Sequence, residues 1–175
     1  MLNIILSLVQ AIINLIGCEV LTRIMFVCHG NICRSPMAEF VFKDLVNKKG
    51  LGDEFYVCSS ATSTEEIWNG VGNSVYPPAK RILNAHGINC EGKRAVQLKQ
   101  SDYDNYDYFI GMDGANIRNM NRILMGDPDN KIFKLLTLAG RSDDVADPWY
   151  TGDFETTYKD VLEGCEALLD YILNR

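Results

Sequence analysis

The segment Met25-Phe-Val-Cys-His-Gly-Asn-Ile-Cys-Arg-Ser-Pro36 joins two stretches with different hydrophobic patterns. Residues 24–27 are apolar and mostly β-favouring, which predicts a short buried strand. After the segment, apolar side chains recur at helical spacing, and Ser35 and Pro36 suit the N-cap and the first position of that helix. Residues 28–34 are therefore predicted to form a loop between a strand end and a helix start, where α/β proteins commonly hold anions.

The loop carries the residue types of a phosphate-binding site that also supplies a nucleophile. Gly30 allows the chain to curl so that backbone N–H groups converge on an anion, and Arg34 offers a forked pair of donors to two phosphate oxygens. Cys28 lies in the same positive field and is expected to be a thiolate, which can attack phosphorus to give a phospho-cysteine intermediate. This chemistry needs no metal ion, and no cofactor is expected.

Composition predicts one acidic domain with a hydrophobic core. The chain has 175 residues, of which 47% are hydrophobic, and a formal net charge of −6. This length suits a single domain, which is assigned to residues 22–175. The acidic balance without a basic stripe argues against a nucleic-acid partner. The six cysteines are irregularly spaced and include no Cys-x2-Cys pair, so a reducing, cytoplasmic location is favoured over disulfides.

Residues 1–21 are predicted to be an apolar helical extension of that domain. Its polar residues recur at intervals of three and four, which places them on one narrow stripe of a helix: Asn3, Ser7, Gln10, Asn14 and Gly17. No Lys or Arg precedes Arg23, so the positive region of a signal peptide is missing. Three interpretations remain open: a start codon assigned too early, an amphipathic helix for membrane, partner or self-association, and a helix packed on the domain.

After Arg23, predicted strands and helices alternate along the chain. Strands are predicted at 24–27, 55–60, 108–112 and 132–136, and helices at 36–49, 79–85, 116–124 and from a cap at Asp153 onward. Such alternation predicts an α/β fold with a parallel sheet that is covered by helices on both faces.

Asp147, in Ala146-Asp-Pro-Trp-Tyr150, is the candidate proton donor. A phospho-cysteine mechanism needs a proton for the departing oxygen and then a base for the hydrolytic water, and one carboxyl group can serve both steps. Pro148 stiffens the loop, and the aromatic rings of Trp149 and Tyr150 can line a slot for a phenyl ring. The alternative is an ordinary turn aspartate before proline.

The segment 27–36, VCHGNICRSP, resembles the signature of the low-molecular-weight protein tyrosine phosphatases. Residues 147–150 resemble the general-acid loop of the same family, with Trp149 in place of its commoner tyrosine or phenylalanine. The resemblance runs from about Arg23 to the C-terminus. It implies a flavodoxin-like, four-stranded parallel sheet, with Cys28 as the nucleophile and Arg34 as the phosphate ligand beside the acid.

The resemblance also implies residues that support the loop. Asn31 resembles the asparagine that holds the loop in shape, and Ser35 resembles the serine that donates a hydrogen bond to the thiolate. Ser59 and His86 resemble a pair that braces Asn31, although His86 also suits the C-terminal end of a helix. Asp113 resembles a residue that braces the site without taking part in the chemistry.

Further residues complete the site that the resemblance implies. His29, Gly30 and Ile32 belong to the phosphate loop. Cys33 resembles the second cysteine that traps an oxidised nucleophile as a reversible disulfide, while the alternative is a small buried side chain. Trp68 resembles the aromatic on the opposite wall of the cleft, while the alternative is a core tryptophan.

The preferred function is the dephosphorylation of phosphotyrosine in a protein substrate. A bacterial-type tyrosine kinase is a candidate for that substrate. A phosphoarginine phosphatase is the first alternative, although relatives with that activity tend to carry threonine where this chain has Ile32. An arsenate reductase would need further cysteines near the third strand, where Asp113 lies. A membrane-tethered phosphate-binding adaptor is the non-enzymatic alternative.

Overall fold

The computed structural model describes residues 21–175. The predicted extension at residues 1–21 lies outside the described residues, except for its last residue. The strands are β1 (Thr22–Cys28), β2 (Phe55–Ala61), β3 (Ile67–Trp68), β4 (Val71–Gly72), β5 (Tyr108–Gly111) and β6 (Ile132–Lys134). The helices are α1 (Arg34–Lys48), α2 (Pro77–Ala85), α3 (Gly114–Ile123), α4 (Leu135–Leu138), α5 (Pro148–Thr151) and α6 (Phe154–Leu173).

Four of these strands form a parallel sheet in the order β2-β1-β5-β6. The strands β3 and β4 form a separate antiparallel hairpin. The predicted fold class, a four-stranded parallel sheet with helices, is therefore confirmed. Because β1 lies between β2 and β5, the connection from β1 to β2 and the connection from β2 to β5 run in opposite directions across the sheet. The crevice at the carboxyl end of β1, where the direction changes, is the usual ligand position in such folds.

Alternate residues of β1 enter two separate hydrophobic cores. Ile24 and Phe26 pack in one core with residues of α1, α2, α4 and α6. Met25 and Val27 pack on the other face with Met120 of α3. Because successive strand residues point to opposite faces, the near-continuous apolar run of β1 needs helices on both sides, as predicted.

The structure corrects three predicted boundaries. Helix α1 begins at Arg34 with Cys33 as its N-cap, so the prediction of Ser35 as N-cap is wrong. Helix α2 begins at Pro77, two residues before the predicted start, because proline fits the first turn, where no intrahelical N–H donor is needed. Strand β6 ends at Lys134, and the next residues, Leu135 and Leu136, enter the core on the short helix α4.

Candidate active site

Cys28 is the last residue of β1, and its buried sulfur faces the first turn of α1. The backbone N–H of Asn31 donates to Cys28 Sγ at 3.3 Å. The hydroxyl of Ser35 lies 3.0 Å from the same sulfur. Donors aimed at a sulfur stabilise its thiolate form, so these two contacts suit a nucleophile.

Asn31 holds the loop in its curled shape. Its backbone is left-handed, with φ of 57°, a conformation that asparagine tolerates better than most residues. Its Nδ2 donates to Ser35 Oγ at 2.9 Å and to Ser59 Oγ at 2.8 Å. Its Oδ1 accepts from the Val96 N–H at 3.1 Å. The side chain is buried and makes all three contacts, so it ties the loop to α1, to β2 and to the segment before Leu98.

The contacts of Ser35 explain why it does not cap the helix. Because Asn31 Nδ2 donates to Ser35 Oγ, the proton of Ser35 is free to point elsewhere. Cys28 Sγ at 3.0 Å is the nearer acceptor, and the carbonyl oxygen of Ser60 lies at 3.4 Å. The Ser35 oxygen thus lies between Asn31 Nδ2 and Cys28 Sγ, and its hydrogen bonds go to these groups and to the Ser60 carbonyl rather than to the N–H groups of α1.

A buried ion pair that the sequence analysis missed supports this network. Ser59 Oγ donates to Glu39 Oε2 at 2.6 Å, and Lys93 Nζ lies 2.9 Å from the same oxygen. Lys93 also donates to the carbonyl of Ser59 at 2.9 Å, and Lys43 pairs with Glu39 Oε1 at 2.5 Å. Burial alone would raise the pKa of Glu39, but the two lysines hold it below its ordinary value. A charged carboxylate therefore anchors the chain of hydrogen bonds that ends at Cys28.

His86 does not brace Asn31, and that prediction is wrong. It is the C-cap residue of α2, and its ring stacks on Tyr158 of α6 with centroids 3.8 Å apart. Its Nε2 lies 3.8 Å from Glu155. The alternative interpretation, a histidine at a helix C-terminus, matches the structure. Ser59 does contact Asn31, as predicted.

Arg34 lies between two carboxylates. Its Nη1 donates to Asp113 Oδ2 at 2.7 Å, and its Nη2 lies 2.5 Å from Asp147 Oδ2. Burial would lower the pKa of the guanidinium, but the charges of Cys28, Asp147 and Asp113 raise it above its ordinary value. Asp113 is itself fixed as the N-cap of α3, because its Oδ1 accepts from the Asn116 N–H at 2.6 Å. It therefore orients Arg34, in line with the predicted bracing role.

Asp147 is the N-cap of the short helix α5, which the sequence analysis did not predict. Its Oδ1 accepts from the Trp149 N–H at 3.1 Å, and its Oδ2 faces Arg34. Pro148 occupies the first position of α5, where its fixed φ is suited to a helix start. Local backbone contacts therefore aim the carboxylate at the phosphate loop.

Cys28, Arg34 and Asp147 line one cavity of about 430 Å³. Trp149 and Tyr150 form part of its wall, as predicted, and the Trp149 ring rests on Tyr76 with centroids 5.5 Å apart. The loop residues His29, Gly30 and Ile32 also line the cavity. The three groups that the chemistry requires and an aromatic wall are thus assembled around a single space.

Trp68 is not a wall of this cavity, and neither sequence interpretation of it is correct. It lies on the β3–β4 hairpin with 71% of its surface exposed, so it is not a core residue either. The preceding residues Glu65 and Glu66 line the cavity instead. Glu65 Oε2 lies 2.9 Å from His29 Nε2, and Glu66 Oε2 accepts from Asn73 Nδ2 at 2.7 Å.

Cys33 is a buried thiol that lines the same cavity as Cys28. Burial, followed by the charges of Cys28 and Asp147, raises its pKa to about 12. Cys28 and Cys33 are both free cysteines, so the predicted disulfide between them remains a prediction. Across residues 21–175, no group of three or more His, Cys, Asp or Glu side chains is arranged to hold a metal ion.

Comparison with known proteins places this site in context. Residues 23–175 match the family described as low molecular weight phosphotyrosine protein phosphatase. The low molecular weight protein-tyrosine-phosphatase YfkJ of Bacillus subtilis is 40% identical over 148 residues, which cover 83% of this chain and 92% of that protein. The low molecular weight phosphotyrosine protein phosphatase of Sus scrofa is 37% identical over 161 residues, which cover 88% and 98%.

Solved structures agree with the sequence matches. The crystal structure of YfkJ from Bacillus subtilis superposes with a TM-score of 0.82 at 38% identity, covering 88% of this chain and 96% of that chain. The drosophila arginine phosphatase DARP superposes with a TM-score of 0.74 at 30% identity, covering 85% and 96%.

Proposed function

The chain belongs to the low-molecular-weight phosphotyrosine protein phosphatase family, and from this premise we propose that it hydrolyses phosphotyrosine in proteins through a phospho-cysteine intermediate. Cys28 is the nucleophile, Arg34 binds the phosphate, and Asp147 is the general acid and base. The observation that carries the proposal is that these three side chains line one cavity, with Arg34 in contact with Asp147.

In the first step, Cys28 Sγ attacks phosphorus and the bond from phosphorus to the tyrosine oxygen breaks. Asp147 gives its proton to that oxygen, so the substrate leaves as a neutral phenol. The guanidinium of Arg34 and the loop N–H groups bind the non-bridging oxygens, on which negative charge accumulates. The Ser35 hydroxyl, 3.0 Å from the sulfur, stabilises the thiolate before attack and again when it leaves.

In the second step, water attacks the phosphorus of the phospho-cysteine and the S–P bond breaks. Asp147, now a carboxylate, removes a proton from the water, and Cys28 leaves as a thiolate. Inorganic phosphate is released, and Asp147 is protonated again for the next cycle. The same carboxyl group serves both steps because the leaving oxygen and the attacking water occupy the same side of phosphorus.

The cavity wall favours an aryl phosphate. Trp149 and Tyr150 offer aromatic faces, and Ile32 offers only methyl and methylene groups to the bound side chain. The Trp149 ring contacts Tyr76 in a tilted arrangement, with centroids 5.5 Å apart, and this contact supports one of these faces. A flat phenyl ring fits such a wall better than the short side chain of phosphoserine.

A phosphoarginine phosphatase is the second candidate. The observation that favours it is the pair of carboxylates at Glu65 and Glu66 in the cavity wall, which would attract a guanidinium. The similarity to the drosophila arginine phosphatase points the same way. Ile32 argues for tyrosine, because it offers a guanidinium no hydrogen-bond acceptor from its side chain.

The proposal is tested by hydrolysis of para-nitrophenyl phosphate at about pH 6, in the presence of a metal chelator. Wild type is compared with Cys28→Ser, Asp147→Ala and a matched control, Cys58→Ser, in which a half-buried thiol outside the cavity is replaced. We expect no turnover in Cys28→Ser, a loss of roughly 10²-fold or more in Asp147→Ala, and unchanged turnover in the control. Turnover by Cys28→Ser would refute the covalent mechanism.

Substrate class and partners follow from a second pair of assays. Phosphotyrosine and phosphoarginine peptides of the same sequence decide between the two candidates by kcat/KM. The Cys28→Ser variant is expected to stay bound to its substrate, because binding survives when attack on phosphorus is blocked. The expected substrate is a cytoplasmic phosphotyrosine protein, with an autophosphorylating tyrosine kinase as the candidate. An adaptor would keep its cellular function in this variant, whereas an enzyme would lose it.

Membrane or self-association through residues 1–21 is a separate proposal. Within residues 21–175, no helix has the length and apolar character needed to cross a membrane. Flotation of the full chain with anionic vesicles, compared with a chain that begins at residue 22, tests the association.

A further inference from the structure

Both backbone polar groups of Ala146, the residue before Asp147, are held by α6. The Ala146 N–H donates to Asp160 Oδ2 at 3.2 Å. Thr157 Oγ1 donates to the carbonyl of Ala146 at 2.9 Å and also lies 3.2 Å from the carbonyl of Asp153. The backbone that leads into the proposed general acid is therefore fixed by side chains from a different element.

Helix α6 is a rigid support for these contacts. Thr157 and Asp160 are buried, and they lie on the face whose apolar members, Val161 and Leu168, are fully buried in the core. Asp153 caps the helix by accepting from the Thr156 N–H at 2.9 Å. A side chain on a packed helix moves little, so its hydrogen-bond partner in the loop is held as firmly as the helix.

The other end of the loop is tied to the same carboxylate. Arg141 Nη1 donates to Asp160 Oδ1 at 2.9 Å, so the two oxygens of Asp160 bind Arg141 and Ala146 separately. Between them, the Val145 N–H donates to the carbonyl of Met112, just after β5. Residues 141–146 are thus held to the rest of the domain at Arg141, Val145 and Ala146.

We propose that Thr157 and Asp160 are positioning residues for Asp147: by holding Ala146 they set the place from which the carboxyl group delivers its proton. The inference rests on the proposed function. An aspartate side chain has a single methylene, so its carboxylate follows its backbone closely. A displacement of about 1 Å from a productive geometry costs roughly 10²-fold in rate. Loss of a hydrogen bond at Ala146 should therefore lower the rate of the chemical step by a measurable factor.

The test is the dependence of kcat/KM on the leaving group. Phenyl phosphate releases a phenol with a pKa of about 10, like that of tyrosine, and needs the proton of Asp147. 2,4-Dinitrophenyl phosphate releases a weakly basic phenolate that needs none. We expect Thr157→Val and Asp160→Asn to lower kcat/KM for phenyl phosphate by roughly tenfold or more, with a change below about twofold for the dinitrophenyl ester. Asp147→Asn should show the same pattern at larger amplitude.

Two further variants separate positioning from folding. Thr157→Ser keeps the hydroxyl and should restore kcat/KM for phenyl phosphate to near the wild-type value. Thr156→Val removes a hydroxyl that bonds Asp153 at 2.6 Å in the same helical turn, without touching Ala146, and should leave the ratio of the two substrates unchanged. If Asp160→Asn does not fold, the comparison of Thr157→Val with Thr157→Ser carries the test alone.

The outcomes distinguish the two proposals. An equal loss for both substrates, or no loss for either, would overturn the positioning role while leaving the phosphatase activity in place. Wild type that hydrolyses neither ester would overturn the proposed function itself.

Discussion

At the scale of single residues, the arginine and the acid of this site depend on each other. Arg34 is buried, and its guanidinium contacts Asp113 through one nitrogen and Asp147 through another. The planar guanidinium of arginine can donate hydrogen bonds to two partners at fixed angles, whereas the ammonium of lysine is a point charge at the end of a flexible side chain. In the proposed mechanism Arg34 therefore has a double role, because it binds phosphate and also sets the direction of the Asp147 carboxyl group that supplies the proton.

Replacement of Arg34 by lysine should consequently remove most of the activity while keeping the positive charge. We expect kcat/KM for para-nitrophenyl phosphate to fall by roughly 10²-fold or more, because the second donor to phosphate and the contact that orients Asp147 are lost together. Steady-state kinetics measure the loss. Arg81→Lys, at an exposed position of α2, is the control and should match wild type. A wild-type-like rate in Arg34→Lys would show that the fork is not required.

At the scale of elements, two short structures that flank the phosphate loop differ in their relation to the cavity. Helix α5 presents Trp149 to the cavity wall and is braced by Tyr76. The β3–β4 hairpin holds Trp68 out in solvent, while its preceding residues Glu65 and Glu66 reach the cavity. Both tryptophans are largely exposed, so their exposure alone does not distinguish their roles.

Replacement of each tryptophan by alanine should therefore have different effects. Trp149→Ala removes an aromatic face from the cavity and should raise KM for a phosphotyrosine peptide by roughly tenfold, which corresponds to the loss of one aromatic contact. Trp68→Ala should leave KM and kcat within about twofold of wild type, since the ring makes no part of the wall. Peptide kinetics decide the matter, and equal effects of the two substitutions would contradict the assignment of the walls.

The sequence predicts the elements of this fold more successfully than the contacts within them. The apolar run of β1 and the Asp153 cap of α6 depend on neighbours in the chain, and the structure contains both. Glu39 and Lys93 are 54 positions apart in the chain (93 − 39), so no local pattern predicts that they pair. Glu39 also lies four residues before Lys43, which is the spacing of an ordinary surface pair on a helix. The resemblance implies that His86 lies beside Ser59 and Asn31, but Glu39 and Lys93 occupy the position beside Ser59.

The crossing of α4 and α6 offers a test in which packing and helix propensity oppose each other. Gly164 lies inside α6, where alanine normally stabilises a helix by about 1 kcal/mol. A Cβ at this position would overlap the Leu135 side chain of α4, which is fully buried. We expect Gly164→Ala to destabilise the protein by about 1–3 kcal/mol, as overpacked core positions do. Urea unfolding measures the change, and Glu166→Ala, an exposed position of α6, is the control. A gain in stability for Gly164→Ala would show that the helices separate without cost.

At the scale of the whole molecule, an acidic chain can contain a phosphate site because two of its positive charges, Arg34 and Lys93, lie beside the loop and are largely removed from solvent. The formal net charge is −6, yet Arg34 and Lys93 lie inside the protein among the groups that shape the loop. Each is paired with a carboxylate, since an unpaired charge at such a position would be costly. The ion pairs of the site are therefore part of the global stability of the fold, and stability should follow their titration.

Glu39 makes this link measurable. Its folded pKa lies below the ordinary value of 4.5 because Lys93 and Lys43 offset the effect of burial. A carboxylate with a lowered pKa contributes stability that is fully present above about pH 4.5 and is lost as the pH falls through the folded pKa. We expect Glu39→Gln to be less stable than wild type by about 1–3 kcal/mol at pH 7, and the difference to shrink as the pH falls below about 4.5.

Urea unfolding of both proteins at a series of pH values from neutral to acidic measures the difference directly. Glu54→Gln, at an exposed position before β2, is the control and should track wild type at every pH. A difference that stays constant across the series would mean that the glutamine loses packing or hydrogen bonds but not a charge interaction. A difference in stability that vanishes in acid would show that the ion pair of Glu39 stabilises the fold through its charge. If kcat/KM of Glu39→Gln also falls at pH 6, the same ion pair holds the loop around Cys28 in place, because hydrogen bonds join Glu39 to Ser59 and Ser59 to Asn31.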